Sequence, residues 1–172
     1  MLSDFTALQL QIEESLQQHL PTNSQIAQPM LNAMTYAVMG GGKRLRPMLV
    51  CAGSEAFGGD YSKALPAGCA FEFIHAYSLI HDDLPAMDDD DLRHGRPSTH
   101  VAFGEANAIL AGDSLHSLAF QSISEAANIS PTSKLSIIAL LSKAAGWPGM
   151  SGGQCLDIEA EGKALSLSEL EV

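Results

Sequence analysis

Apolar residues recur at helical spacing along most of the chain. Phe5, Leu8, Ile12, Leu16 and Leu20 make a first stripe, with Ser3 or Asp4 placed to cap it and Pro21 to close it. Pro29 opens a second helix that runs to about Met39, where Gly40-Gly41-Gly42 ends it. A third spans about Arg46 to Phe57 and stops at Gly58-Gly59. Ser62 is the expected cap of a long helix reaching about Asp83. Its apolar residues Leu65, Cys69, Phe71, Phe73, Ile74, Leu79 and Ile80 lie all around it, the pattern of a central, buried helix. Further helices are predicted over about 105–126, from Ser130-Pro131 to Gly146, and from Met150 to Glu161. No stretch alternates apolar and polar positions with β-branched residues, so the expected fold is all-α. Ser166-Leu167-Ser168-Glu169 reads as a capping box, and the helix it should open has only three more residues before the sequence stops at Val172. A turn that short is not stable alone, so the chain reads as cut inside an element.

Composition agrees with packed helices. Of 172 residues, 46% are apolar but only 6% aromatic. Nine Lys and Arg against twenty Asp and Glu give a net charge of −11, which makes nucleic acid a poor partner. No apolar run approaches the roughly 18 residues of a membrane span, and residues 1–20 lack a basic start followed by an apolar block, so neither a span nor a signal peptide is expected. Cys51, Cys69 and Cys155 are far apart and odd in number, which fits reduced thiols in a cytoplasmic protein.

The charge is not evenly spread. Six of the twenty acids fall within residues 82–91, in His81-Asp82-Asp83-Leu84-Pro85-Ala86-Met87-Asp88-Asp89-Asp90-Asp91. A solvated acidic loop is the ordinary reading of such a run. Here Asp82 and Asp83 end a helix that is otherwise apolar, so the core delivers them. Negative charge at a helix C-terminus opposes the macrodipole and calls for a compensating cation. Along a straight helix Asp88 would lie about 240° around from Asp82. Pro85 clashes with the carbonyl of His81 and must kink or end the helix, which lets Asp88 turn back toward Asp82. Carboxylates gathered without matching bases are hard-oxygen ligands that suit Mg²⁺, and Mg²⁺ commonly completes its shell with water and substrate phosphate.

A phosphate partner calls for bases. Gly41-Gly42-Lys43-Arg44-Leu45-Arg46-Pro47 carries three of the nine at a junction between helices, with Lys43 and Arg46 three apart and able to share a face. It is no P-loop, since Arg44 follows Lys43 and no strand precedes it. Taken alone it reads better as a glycine cap with exposed bases. Arg93 and Arg96 add charge just after the acidic run. His75 precedes Asp82 by seven residues and shares its helical face, with Leu79 between them, so it is either a core histidine or a diphosphate contact.

Together these residues resemble the trans-prenyl diphosphate synthases, most closely the bacterial farnesyl diphosphate synthase group. The resemblance runs in order through Gly41 to Pro47, His75, Asp82-Asp83-x4-Asp88 with Leu92-Arg93, Phe103-Gly104-Glu105-Ala106, and Gly152-Gly153-Gln154 with Leu156-Asp157. It implies a helical bundle around a deep central cavity, the isoprenoid synthase fold, of which residues 1–172 would be the N-terminal portion of a single domain. It also implies a homodimer that joins isopentenyl diphosphate to an allylic diphosphate. Asp82 and Asp88 would bind Mg²⁺ on the allylic diphosphate, Asp83 would assist, and Arg93 would hold that diphosphate. Lys43, Arg46 and His75 would bind isopentenyl diphosphate, with His94 and Gln154 as further substrate contacts. Many relatives carry a second arginine after Arg93, where this chain has His94, which implies weaker or pH-dependent binding on the isopentenyl side. A second aspartate-rich motif, a Lys-Thr pair and a Phe-Gln pair, all from the family's later half, have no counterpart here.

The resemblance also implies that Ser78 and Tyr77, four and five residues before Asp82, set product length, with farnesyl diphosphate as the main product. Ser78 shares the face of Asp82, whereas Tyr77 points about 140° away and could equally be a core tyrosine packed on a neighbouring helix. Three alternatives stay open: a geranylgeranyl diphosphate synthase, a non-catalytic truncated subunit, and a metal phosphohydrolase suggested by His81-Asp82. The last leaves the basic segment at Lys43 to Arg46 without a role.

Overall fold

The computed structural model describes residues 5–22 and 27–170. Ser3 and Asp4, the expected cap of the first helix, lie outside them. Two compact units are present, residues 1–134 and 135–172. The first holds α1 (Phe5–His19), α2 (Gln28–Val38), α3 (Leu45–Ala56), α4 (Leu65–Asp82), a two-stranded hairpin of β1 (Leu92–Arg93) and β2 (Arg96–Pro97), α5 (Thr99–Phe103) and α6 (Glu105–Glu125). α7 (Pro131–Ala145) begins at the end of this unit. The second unit continues with α8 (Met150–Ala160) and α9 (Leu167–Leu170), the last beginning at the expected capping box.

α4 is the axis of the first unit. It packs against α6 over the largest interface and against α3, α1 and α2 on its other sides. Cys69, Ala70 and Phe73 have no exposed surface, and Ile80 almost none, as an all-round apolar helix requires. Gly68 permits the close approach of α3, since a Cβ there would sit 3.1 Å from the Cβ of Pro47. From α1, Leu8, Ile12, Leu16 and Leu20 are buried as the stripe predicts, but Phe5 is 69% exposed.

One expected cap needs correction, and two short elements add to the expected pattern. Ser62 does not cap the long helix. Asp60 caps a 3-10 turn at Tyr61–Lys63, accepting from the Ser62 amide at 3.0 Å and its hydroxyl at 2.7 Å. α4 then starts at Leu65 behind Ala64, without a side-chain cap. The all-α expectation holds except for the hairpin, whose two-residue strands are too short to show alternation. Its turn is His94-Gly95, both in the left-handed region (φ 53° and 75°), a conformation typical of two-residue hairpin loops. The short helix α5 was also outside the expected pattern. Cys51, Cys69 and Cys155 are free thiols, and burial pushes those of Cys51 and Cys69 up to about 11.

Candidate active site

Between the end of α2, the loop before α3, α4 and the hairpin lies a cleft of about 470 Å³. Its wall includes Lys43 and Arg46 from the loop, His75 and Leu79 from α4, and Arg93, His94 and Arg96 from the hairpin. Lys43 and Arg46 are exposed and reach the cleft because the residue between them turns the other way. Arg44 adopts φ 51° and is only 4% exposed. Its guanidinium donates to both carboxylate oxygens of Glu13 (2.6 and 3.1 Å), to Glu72 Oε1 (2.8 Å) and to the Val38 carbonyl (2.7 Å). Burial opposes its charge, but Glu13 and Glu72 more than compensate and hold the guanidinium above its ordinary pKa. One arginine therefore ties the loop to α1, α2 and α4. Sequence reasoning gave Arg44 no separate role, although a glutamate inside apolar α4 signals a buried cation opposite it.

The acidic segment folds back as Pro85 requires. Pro85 has no amide hydrogen, and the amide of Leu84 tightens onto His81 at 3.2 Å. The amide of Asp88 then donates to the carbonyl of Asp82 at 2.9 Å, and that of Asp90 to the carbonyl of Asp83 at 3.2 Å. This brings the Asp82 and Asp88 carboxyls into hydrogen-bond reach. Burial first, then the charge of Asp88 and of Asp83, raise the Asp82 pKa against the pull of Arg93. Two carboxyls this close repel each other when both are charged, and a divalent cation between them would relieve that repulsion. Among the described residues no three Asp, Glu, His or Cys side chains converge on one point, so an ion here would need other oxygens as well.

Asp83 is turned inward. It is 2% exposed, and its Oδ1 accepts from Arg93 Nε at 2.9 Å and from Arg93 Nη2. Arg93 also lies 3.6 Å from Asp90. This is the cation that the helix C-terminus called for.

His75 is half-buried in the cleft wall, and burial first, then the charge of Arg46, lower its pKa. Tyr77 and Ser78 are not in that wall. The Tyr77 ring lies edge-on to His81 and His116, at 4.9 and 5.1 Å between centroids, in the seam between α4 and α6. Ser78 Oγ donates to the His75 carbonyl at 2.9 Å. Gln154 stands on α8, in the second unit. His81 Nε2 donates to the Ile109 carbonyl on α6 at 3.1 Å, its ring lying against Gly112.

The sequence model of the polyprenyl synthetase family matches residues 27–171. The chain belongs to the polyprenyl synthetase family. It is 55% identical over 141 residues to a farnesyl diphosphate synthase of Geobacillus stearothermophilus, covering 81% of this chain and 48% of that protein. Over 171 residues it is 42% identical to geranylgeranyl pyrophosphate synthase 7 of Arabidopsis thaliana, covering 98% of this chain and 49% of that one. The crystal structure of an FPP/GFPP synthase from Zymomonas mobilis superposes with a TM-score of 0.89 at 41% identity, over 99% of this chain and 64% of that one. The fold is thus the isoprenoid synthase fold in part, and the chain spans about half the length of the curated relatives it matches. The first 26 residues, with α1 and Glu13, lie ahead of the family match.

Proposed function

We propose that the protein is a trans-prenyltransferase of isoprenoid biosynthesis, joining isopentenyl diphosphate to dimethylallyl or geranyl diphosphate with farnesyl diphosphate as the main product. One observation carries the reading: a cleft walled by cations in an acidic protein, beside a pair of carboxyls folded together at the end of the same helix. Asp82 and Asp88 would hold Mg²⁺, which when bound neutralises the allylic diphosphate and makes it a better leaving group. Asp83 acts through Arg93, fixing its guanidinium at the rim. Lys43, Arg46 and His75 bind the diphosphate of isopentenyl diphosphate, joined by His94. The C1–O bond of the allylic substrate breaks with its electron pair on the diphosphate. The double bond of isopentenyl diphosphate bonds to C1, and the proton then lost passes to the departing diphosphate. Leu79 and the apolar face of α4 keep water from the cation.

The reading includes a cytoplasmic homodimer, with exposed Leu49, Ile109 and Leu110 as apolar surface for further chain or a second copy. No described helix is long and apolar enough to cross a membrane. Product length is assigned to Tyr77 and Ser78, with geranylgeranyl diphosphate as the second reading because a relative of that name matches nearly the whole chain.

The test is product analysis with labelled isopentenyl diphosphate and geranyl diphosphate. A form extended to the family's full length is expected to make a fifteen-carbon product, and longer products when Tyr77→Ala is introduced. The 172 residues alone are expected to bind diphosphate without turnover. A fifteen-carbon product from the 172-residue chain would overturn the expectation that it does not turn over, and an extended form as active with Asp82→Ala as without it would overturn the reading.

A further inference from the structure

We infer that Arg96 is a pre-oriented anion ligand of the cleft, held over the Tyr36 ring to receive a diphosphate oxygen; the inference rests on the diphosphate-binding reading above. The cleft has more cations on its wall than it has charge to spare. Arg44 is neutralised by Glu13 and Glu72, and Arg93 by Asp83 with Asp90 nearby. His94 presents an imidazole and lacks the fork of donors that a guanidinium carries. Arg96 differs from all of these: among the described residues no carboxylate lies within ion-pair distance of its guanidinium, and it faces the same cleft as Lys43 and Arg46.

Its position is built rather than incidental. The His94-Gly95 turn makes Arg93 and Arg96 register partners across the hairpin, so they leave it side by side. Arg93 goes to Asp83, and the guanidinium of Arg96 lies over the Tyr36 ring, 4.0 Å from its centroid. Tyr36 is itself held from two directions. Its hydroxyl donates to the Pro97 carbonyl at 2.8 Å, and its ring meets Phe103 edge-on at 5.2 Å. Gly40 leaves the room, since a Cβ there would sit 2.9 Å from Arg96 Nη1. A guanidinium held over an aromatic ring has its charge steadied by the ring face and leaves N–H donors free to match phosphate oxygens two at a time. The stacking also restricts the side chain before any ligand arrives, so less freedom is lost on binding.

The experiment is calorimetric titration of inorganic diphosphate into the 172-residue chain without divalent metal, which keeps Asp82 and Asp88 out of the measurement. Arg96→Gln should weaken binding about tenfold or more, as the loss of a charge-assisted contact does. Arg96→Lys should restore only part of it. Tyr36→Leu should weaken binding several-fold with Arg96 intact, and Tyr36→Phe, which keeps the ring face, should bind nearly as the parent does. Melting curves accompany each variant. Should Arg96→Gln fail to fold, Arg96→Lys and Tyr36→Leu decide, and parent-like affinity in both overturns the inference. The broader reading fails separately. If the parent chain binds no diphosphate, the cleft is not a diphosphate site at all. If Arg46→Gln weakens binding and Arg96→Gln does not, the cleft stands and Arg96 has no part in it.

Discussion

Alanine at Gly112 would place a methyl group against the imidazole of His81, 2.6 Å from Cδ2 and 3.2 Å from Cε1. α4 and α6 share the largest interface in the first unit, so the helices cannot part and the ring must swing away. It would give up the hydrogen bond to the Ile109 carbonyl, worth about 1 kcal/mol net, and the edge contact with Tyr77, about 0.5–1 kcal/mol. A displaced rotamer adds about 1 kcal/mol. Alanine in a helix interior returns about 1 kcal/mol over glycine. The expected sum is a destabilisation of about 1–2 kcal/mol. With His81→Ala in place the obstacle is gone, and Gly112→Ala should stabilise by about 1 kcal/mol. The sign therefore reverses with the residue at position 81, a coupling of about 2–3 kcal/mol. Urea denaturation of the four proteins, followed by helical circular dichroism, measures it. An equal effect of Gly112→Ala in both backgrounds would refute the clamp between His81 and α6.

Two further outcomes follow from the charged groups. Arg44→Met leaves Glu72, 6% exposed, without its cation and should cost about 3–5 kcal/mol; recovery of much of that loss on adding Glu13→Gln and Glu72→Met is the companion expectation, and a loss under about 1 kcal/mol in the single variant would mean that the buried ion cluster is not what anchors the loop. Because the Asp82 pKa is raised in the fold, its ionisation works against stability as pH rises through that value. Asp82→Asn should therefore make the metal-free chain more stable than the parent at pH 7, with the difference closing as pH falls below the ordinary aspartate range. Added Mg²⁺ should raise the parent's urea midpoint and leave the variant's alone. An Asp82→Asn chain less stable than the parent at pH 7 without metal contradicts the assignment.

The helices were legible in the sequence because their determinants act within a turn or two. The apolar stripe of α1, the glycines that stop α2 and the all-round apolarity of α4 each specify local conformation and burial, and the structure differs mainly at ends. The fold-back of Asp88 was legible for the same reason, since Pro85 removes an amide and leaves the chain few ways onward. The cap of the long helix is not legible locally, because Asp60, only two residues before Ser62, takes that serine into a competing turn. The hairpin leaves no trace in the apolar pattern, because two-residue strands carry no period. Partners across the molecule were beyond local reasoning. Arg44 finds Glu13 and Glu72 at separations of 31 and 28 residues, and Tyr36 finds Pro97 at 61. Sequence placed Lys43, Arg44 and Arg46 in one basic segment but could not say which turns inward. That choice rests on Arg44 taking a left-handed conformation while two glutamates on other helices await it. Likewise, only the packing of α4 on α6 decided that Tyr77 lies in a seam with His81 and His116, outside the wall of the cleft. Local sequence sets which faces a helix presents; which residue meets each face is decided when the helices pack, because desolvated charges and rings must find their partners there.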